Sequence, residues 1–428
     1  MPRDMAQDTS IYDRRESGAR SYCRAFPASF ARAQGSELFS AEGDRYIDFL
    51  AGCSSLNYGH NDPDMKAALV KHISQDGLAH ALDFHTEEKE AFLRAYEANI
   101  LAPRGMDYRV MMTGPTGTNA VEAAIKLARK VTGRRNVVAF TNGFHGMTMG
   151  ALSLTGNASK RGGAGGGSLN DVTHMPFEGA LGPDVDTLQV IDGLLGNPSS
   201  GIDAPAAFVF EPIQGEGGLN VASNAWMRGI ETLARKYGAL VIVDDIQAGC
   251  GRSGSYFSFE RAGIKPDMVT QAKSLSGFGL PFAALLIKSE LDVWKPAEHN
   301  GTFRGNTHAF VTARVAIEKF WADDAFEAEL AAKSVMLTSA FKEVADLIEG
   351  ARLKGRGLMQ GVDVGSGELA GAICARAYEK GLVIETSGAR DEVVKCLAPL
   401  TTPDAILREG FDILLEATRG ALAERAAA

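Results

Sequence analysis

The apolar positions of this chain alternate between two patterns. Residues 136–141 (NVVAFT), 206–211 (AAFVFE), 239–245 (ALVIVDD), 267–272 (DMVTQA) and 282–287 (FAALLI) are short continuous apolar runs bounded by polar residues or glycine. Continuous runs of strand length predict strands buried on both faces, as in a parallel sheet. Between them the apolar spacing changes to three and four. Val121, Ala124, Ile125 and Ala128 share one helical face within residues 119–131. Trp226, Ile230, Leu233 and Tyr237 do the same within 224–237, with Ser223 placed as the N-cap. This alternation predicts an α/β fold: a large domain on a mostly parallel central sheet, joined by right-handed crossovers. From about residue 310 the pattern is mostly helical, with short strands near 359–364 and 393–400. That stretch predicts a smaller α+β domain. No internal repeat is visible.

Composition narrows the class without naming it. With 45% hydrophobic and 23% charged residues, the chain has an ordinary globular make-up. Lysine and arginine total 44 against 53 acidic residues, a net charge of −9, which argues against nucleic acid or an anionic membrane as partner. No apolar run approaches the ~18 residues of a spanning helix, and the N-terminus lacks the apolar core of a signal peptide. Five scattered cysteines without a CxxC suggest neither a metal site nor a disulfide framework. A cytoplasmic location is expected. The glycine-rich KRGGAGGGSL (160–169) predicts a surface loop; a phosphate cradle is the sharper reading, but no apolar strand runs into it and no GK[ST] follows.

The chemistry concentrates where strands end. LVIVDD brings an apolar run directly into Asp244 and Asp245. Side chains on a strand alternate faces, so the two carboxylates cannot share a target while the strand continues. Ligands of open α/β sheets sit beyond the carboxyl ends of the strands, where Asp244 lies. The bland alternative is that both aspartates cap a turn. Lys273 follows the next apolar strand, 29 residues on. Each residue alone is weak; together they suggest a Schiff-base amine opposite a carboxylate that holds a pyridinium nitrogen, the pairing that pyridoxal phosphate needs. GPTGTNAVEAA (114–124) offers small residues at a helix N-terminus, where the N–H groups of Gly117, Thr118 and Asn119 favour a phosphate; Thr118 or Asn119 as a plain cap is the alternative. In TNGFHGMT (141–148), Phe144 sits between glycines and could stack on a ring.

On these residues the chain resembles the class III (ornithine/4-aminobutyrate type) pyridoxal-phosphate aminotransferases. The resemblance rests on VIVDDIQAGCGRSG, PDMVTQAKSLSGFGLP, EPIQGEGG (211–218), EHNGTFRGN (298–306) and LFSAEGDRYIDFLAGCSSLNYGH (38–60), in the family's order over nearly the whole chain. It implies a fold-type I transferase and pyridoxal 5'-phosphate as cofactor. Residues 1–75 would form an N-terminal segment contributing to the small domain, 76–315 the large cofactor-binding domain and 316–428 the C-terminal small domain. Carried over by position, Lys273 is the Schiff-base lysine and proton shuttle, and Asp244 the partner of the pyridine nitrogen. Gln247 lies near the phenolic oxygen, Gly117 and Thr118 bind phosphate, and Phe144 with His145 lies against the ring. Thr302 would reach the phosphate of a neighbouring subunit, which implies a homodimer at least and leaves a tetramer open. Glu216 corresponds to the glutamate that gates between the two substrates.

Two departures matter. Where ornithine-type members follow the aromatic with an arginine, this chain has Met147, and where they carry an arginine before the LAPL-like stretch, it has Lys395. Lysine neutralises a carboxylate but cannot fork onto it. Both departures, with LNYGHNDP and VIETSGARDEVVKCLAPLT, are similar to the diaminobutyrate–2-oxoglutarate aminotransferases of ectoine biosynthesis. The implied reaction converts L-glutamate and L-aspartate 4-semialdehyde into 2-oxoglutarate and L-2,4-diaminobutyrate. Other ω-amino acid aminotransferases, diaminobutyrate transfer in catabolism or siderophore synthesis, an aminomutase on the same scaffold, and a regulator that only retains the cofactor stay open.

Overall fold

A computed structural model of the chain describes residues 10–165 and 167–427. Seven strands form the central sheet: β1 (Tyr108–Met112), β2 (Val137–Phe140), β3 (Val172–Met175), β4 (Ala207–Phe210), β5 (Leu240–Asp244), β6 (Met268–Gln271) and β7 (Ala284–Lys288). Their spatial order is β1-β7-β6-β5-β4-β2-β3. The five strands from β6 to β3 run parallel, while β7 is antiparallel to both of its neighbours. The run 282–287 is therefore a strand as expected, but not a parallel one. The stretch between it and β6 holds only the short helical turn Lys273–Ser276, with no helix to carry the chain back across the sheet for parallel pairing.

Alternation along the strands explains why the runs are apolar throughout. Val138, Phe140, Phe208, Phe210, Val241 and Val243 enter one buried cluster, with Trp226, Ile230 and Leu233 of the helix α2 (Asn224–Tyr237). Val137, Ala139, Ala207, Val209 and Ile242 enter the other, with Val121, Ala124, Ile125 and Ala128 of the helix α1 (Gly117–Thr132). A sheet covered on both faces has no side left for polar residues. Ser223 caps α2 as its position suggested, its hydroxyl accepting from Trp226 N at 3.0 Å. The edge strands β1 and β3 escaped the pattern because they are only half buried and mix Arg109, Thr173 and His174 among their apolar residues.

Two smaller sheets flank this core. Phe30–Gln34, Glu37–Ser40 and Arg45–Asp48 form a meander whose last strand pairs in parallel with Leu382–Val383. Arg352–Arg356, Met359–Asp363, Val393–Cys396 and Glu385–Ser387 form an antiparallel sheet. Residues 45–48 and 382–383, far apart in sequence, thus share a sheet. Of the glycine-rich stretch, residues 160–162 end the short helix Ala158–Gly162 instead of joining the loop, and the described remainder is mostly exposed; residue 166 lies outside the described residues. Among the described residues, no helix is long and apolar enough to cross a membrane.

Arg252 ties these parts together. It is fully buried, and its guanidinium donates to Ser54 Oγ (3.0 Å), Asn57 Oδ1 (2.6 Å), Leu358 O (3.2 Å) and Ala398 O (2.6 Å). Burial lowers its pKa to about 10. One planar fork satisfies groups from the N-terminal segment and from two C-terminal loops, a geometry lysine does not reproduce. Arg252→Ala should lower the unfolding free energy by on the order of 3 kcal/mol, because it strands buried acceptors. Arg252→Lys should recover only part of the loss; urea midpoints at unchanged slope provide the measurement.

Candidate active site

Strand register builds the site. In the parallel pair β5–β6, Asp244 lies opposite Thr270. The Thr270 hydroxyl donates to Asp244 Oδ1 at 2.9 Å, His145 Nδ1 donates to Oδ2 at 2.7 Å, and Ile246 N reaches Oδ1 at 3.3 Å. Three donors therefore fix a carboxylate that is only 4% exposed. Burial pushes the His145 imidazole pKa down, but Asp244 outweighs this and the net shift is upward. Asp245 faces the other way. Its carboxylate accepts from Ser258 N at 3.2 Å and from the Ser258 hydroxyl, so alternation separates the two aspartates as expected.

Lys273 stands three residues beyond Thr270, at the start of the short helical turn Lys273–Ser276. Its φ is +51°, a left-handed conformation that a side chain adopts only where the surroundings enforce it. Among the described residues, its amine has no hydrogen-bond or ion-pair partner. It borders a cavity of about 380 Å³ lined also by Thr116, Gly117, Thr118, Phe144, His145, Glu211, Glu216, Asp244 and Gln247. A larger cavity of about 550 Å³, beside Arg109 and Trp294, contains none of these residues.

Helix α1 points its N-terminus at this cavity. Thr116, rather than Thr118 or Asn119, is the N-cap, closed by a capping box with Asn119. That leaves the N–H groups of Gly117 and Thr118 without acceptors among the described residues, as at any helix start. A Cβ on Gly117 would come within 2.8 Å of Ile246 Cδ1, so glycine lets α1 seat against the end of β5. Free N–H donors at one end, a buried carboxylate at the other and an unpaired amine beside them fit pyridoxal phosphate. The donors would take its phosphate, Asp244 its ring nitrogen and Lys273 its aldehyde carbon.

Beyond the lysine lies a charged cluster. Lys395 Nζ donates to Glu216 Oε1 at 2.9 Å and lies 3.0 Å from Glu385 Oε1, while Gln247 Nε2 donates to the same Glu216 oxygen at 3.2 Å. Burial pushes the Glu216 carboxyl up, but Lys395 and Lys273 outweigh it and hold it down to about 2. Burial pushes Glu385 up despite Lys395. Two predicted residues do not line the cavity: Lys395 lies behind Glu216, and Thr302 is on an exposed loop where its carbonyl accepts from His80 Nε2 at 2.9 Å. Met147, which stands where ornithine-type members have an arginine, is exposed.

Glu211 was assigned no role from sequence, yet it lines the cavity. It accepts from Phe144 N (2.8 Å) and Gly215 N (3.3 Å), and burial pushes its carboxyl up to about 7, with Asp244 adding. The rule that singled out Asp244 applies equally to Glu211, a carboxylate just past the apolar run of β4.

A carboxylate-anchored, lysine-bearing cavity at the carboxyl edge of a mostly parallel sheet defines a fold-type I pyridoxal-phosphate enzyme. The chain belongs to the aminotransferase class-III family, whose pattern it matches over residues 19–418. It is a pyridoxal-phosphate-dependent transaminase. It is 53% identical over 417 residues to the diaminobutyrate–2-oxoglutarate transaminase of Halomonas elongata, covering 96% of this chain and 99% of that protein. Its identity to the enzyme of that name from Vibrio cholerae is also 53%, over 94% and 98% of the two chains. The solved ornithine aminotransferase of Toxoplasma gondii, described with partial pyridoxal-phosphate occupancy, superposes with a TM-score of 0.82 at 25% identity, covering 97% and 95% of the chains.

Burial pushes the Asp245 carboxyl up to about 8, against the Ser258 hydrogen bonds that favour its charged form. A group whose folded pKa is raised stabilises most below its unfolded pKa, and the stability is lost as pH rises through the folded value. Wild-type stability should therefore fall between about pH 4 and 8 through this group. Asp245→Asn should flatten that slope and be the more stable form at pH 9, by on the order of a few kcal/mol. Urea unfolding at pH 6 and pH 9 gives the comparison.

Proposed function

We propose that this enzyme transfers the amino group of L-glutamate to the terminal carbon of L-aspartate 4-semialdehyde, giving 2-oxoglutarate and L-2,4-diaminobutyrate, and that it serves ectoine formation. The observation that carries the substrate assignment is Lys395, buried against Glu216 where ornithine-type members have an arginine. The two relatives described above, named diaminobutyrate–2-oxoglutarate transaminases, support it.

When bound, pyridoxal phosphate supplies an electron sink and the carbonyl carbon on which the amino group waits between substrates. The protein supplies the rest. The Lys273 amine would take the proton from the substrate carbon that bears the amino group and return it to the carbon on the far side of the shared nitrogen; its lack of an internal partner leaves it free to do so. The Asp244 carboxylate, held by His145 and Thr270, keeps a proton on the ring nitrogen. The N-terminus of α1 binds the phosphate, Phe144 covers the ring and Gln247 orients its oxygen. Thr302, exposed on its loop, completes the phosphate site of a second subunit, so the working unit is a homodimer.

The exchange of substrates falls to Glu216. Glutamate presents a carboxylate at its far end, and the four-carbon partner presents an amino-acid head group. The Glu216 carboxylate is partly exposed while Lys395 is wholly buried, so Glu216 is the member of the pair with room to move.

Lys273→Ala should abolish covalent retention of the cofactor, read as the absence of a cofactor adduct by mass spectrometry after borohydride reduction. Asp244→Asn should retain cofactor yet lose turnover by roughly three orders of magnitude; near wild-type turnover would overturn its assigned role.

Single half-reactions, followed by absorbance, test the substrates. Diaminobutyrate and glutamate should each convert the cofactor to its amine form, with ornithine and 4-aminobutyrate slower by at least about tenfold. Faster conversion by ornithine or 4-aminobutyrate would overturn the assignment, and repeated turnover of an amino acid without added 2-oxoglutarate would indicate a mutase.

A further inference from the structure

The strand register that brings Lys395 to the site also brings a second carboxylate. In the antiparallel pair Glu385–Ser387 with Val393–Cys396, Glu385 lies directly opposite Lys395, so the two side chains share a face. Lys395 is fully buried between Glu216 Oε1 at 2.9 Å and Glu385 Oε1 at 3.0 Å. The lysine's aligned hydrogen bond goes to Glu216, whereas Glu385 Oε1 is buried and accepts none. The two carboxylates also differ in freedom: the Glu216 side chain is 32% exposed and Glu385 11%. Glu385 is thus the fixed, inner counterion, with an acceptor left over, and Glu216 lines the cavity in front of it.

Counting charges gives the consequence. Lys395 is the one ammonium within ion-pair distance of both carboxylates, and Lys273 is the other cation that both feel; with Lys273 engaged by the cofactor, the cluster holds one carboxylate more than it has ammonium groups. With Glu216 alone, Lys395 would form a neutral pair. That charge reaches neighbouring groups: the Tyr22 hydroxyl and the Cys53 thiol, 2.7 Å apart, both feel Glu385, and the Cys53 carbonyl accepts at 3.4 Å from Gln247, which lines the cavity. A surplus negative charge in a poorly solvated wall favours a cation and opposes an anion there.

We propose that Glu385 is a specificity-determining residue, setting the site's preference for amino acids that carry an ammonium group at their non-reacting end. Resting on the reaction proposed above, this explains how one site separates its two substrates. Diaminobutyrate and aspartate semialdehyde react at C4 and keep an α-ammonium group at the far end. Glutamate reacts at its α-amino group and presents only a carboxylate there. Glu385 attracts the first and weakly repels the second, so the Glu216–Lys395 pair need not discriminate alone.

The holoenzyme half-reactions test this with Glu385→Gln, which keeps the shape and removes the charge, and Glu385→Asp, which keeps the charge. Glu385→Gln should raise the half-saturating diaminobutyrate concentration about tenfold with the limiting rate within about twofold, while that for glutamate stays or falls. Glu385→Asp should recover most of the diaminobutyrate affinity. Equal loss for both substrates would mark Glu385 as a packing residue and overturn the proposal, as would no change for either. Wild-type enzyme converted by glutamate but not by diaminobutyrate would overturn the reaction itself, and this inference with it, before any variant is compared.

Discussion

Everything at this site depends on keeping one charge at the end of a buried strand. Asp244 closes β5 inside a sheet covered on both faces, and a carboxylate there is tolerable only because donors converge on it. Those donors come from Thr270 on the neighbouring strand and from His145 in the loop after β2. Parallel pairing supplies the first and sheet order the second, with β2 and β6 on opposite sides of β4 and β5. The carboxyl rim of the parallel strands thus becomes the place where a cofactor's positive end can be held.

The surrounding electrostatics fall into two zones. Around Asp244, buried carboxyls lean toward their neutral forms: Glu211 is raised to about 7 and Asp245 to about 8, each chiefly by burial. Beyond Lys273 the two carboxyls diverge: lysines hold Glu216 down to about 2, while burial keeps Glu385 raised. The strand-end side of the cavity thus gathers its hydrogen-bond donors on Asp244, while the opposite side holds the Lys395 ion pairs. That division suits an enzyme that must grip one group through the whole cycle and admit two different substrates in turn.

Much of this was legible along the chain. The continuous apolar runs identified β2, β4, β5, β6 and β7, and the three-and-four spacing located α1 and α2, because full burial leaves the strongest imprint. The half-buried edge strands β1 and β3 left a weaker one and were missed. The direction of β7 was also hidden, since a run of apolar residues has the same appearance in either orientation. Lys273, Asp244, Gln247 and Phe144, which line one cavity, stand out along the chain because each follows a strand end within a recognisable motif.

The sequence by itself determined that carboxylates and a lysine would stand at strand ends, and that Asp244 and Asp245 would face apart, since both follow from local periodicity. Only the tertiary structure decided which charges meet. Glu385 and Lys395 face each other through cross-strand register, Glu216 reaches them from a segment more than a hundred residues earlier, and Arg252 collects acceptors from both ends of the chain. Charge pairing across such distances depends on how sheets and loops stack, and no local pattern encodes it.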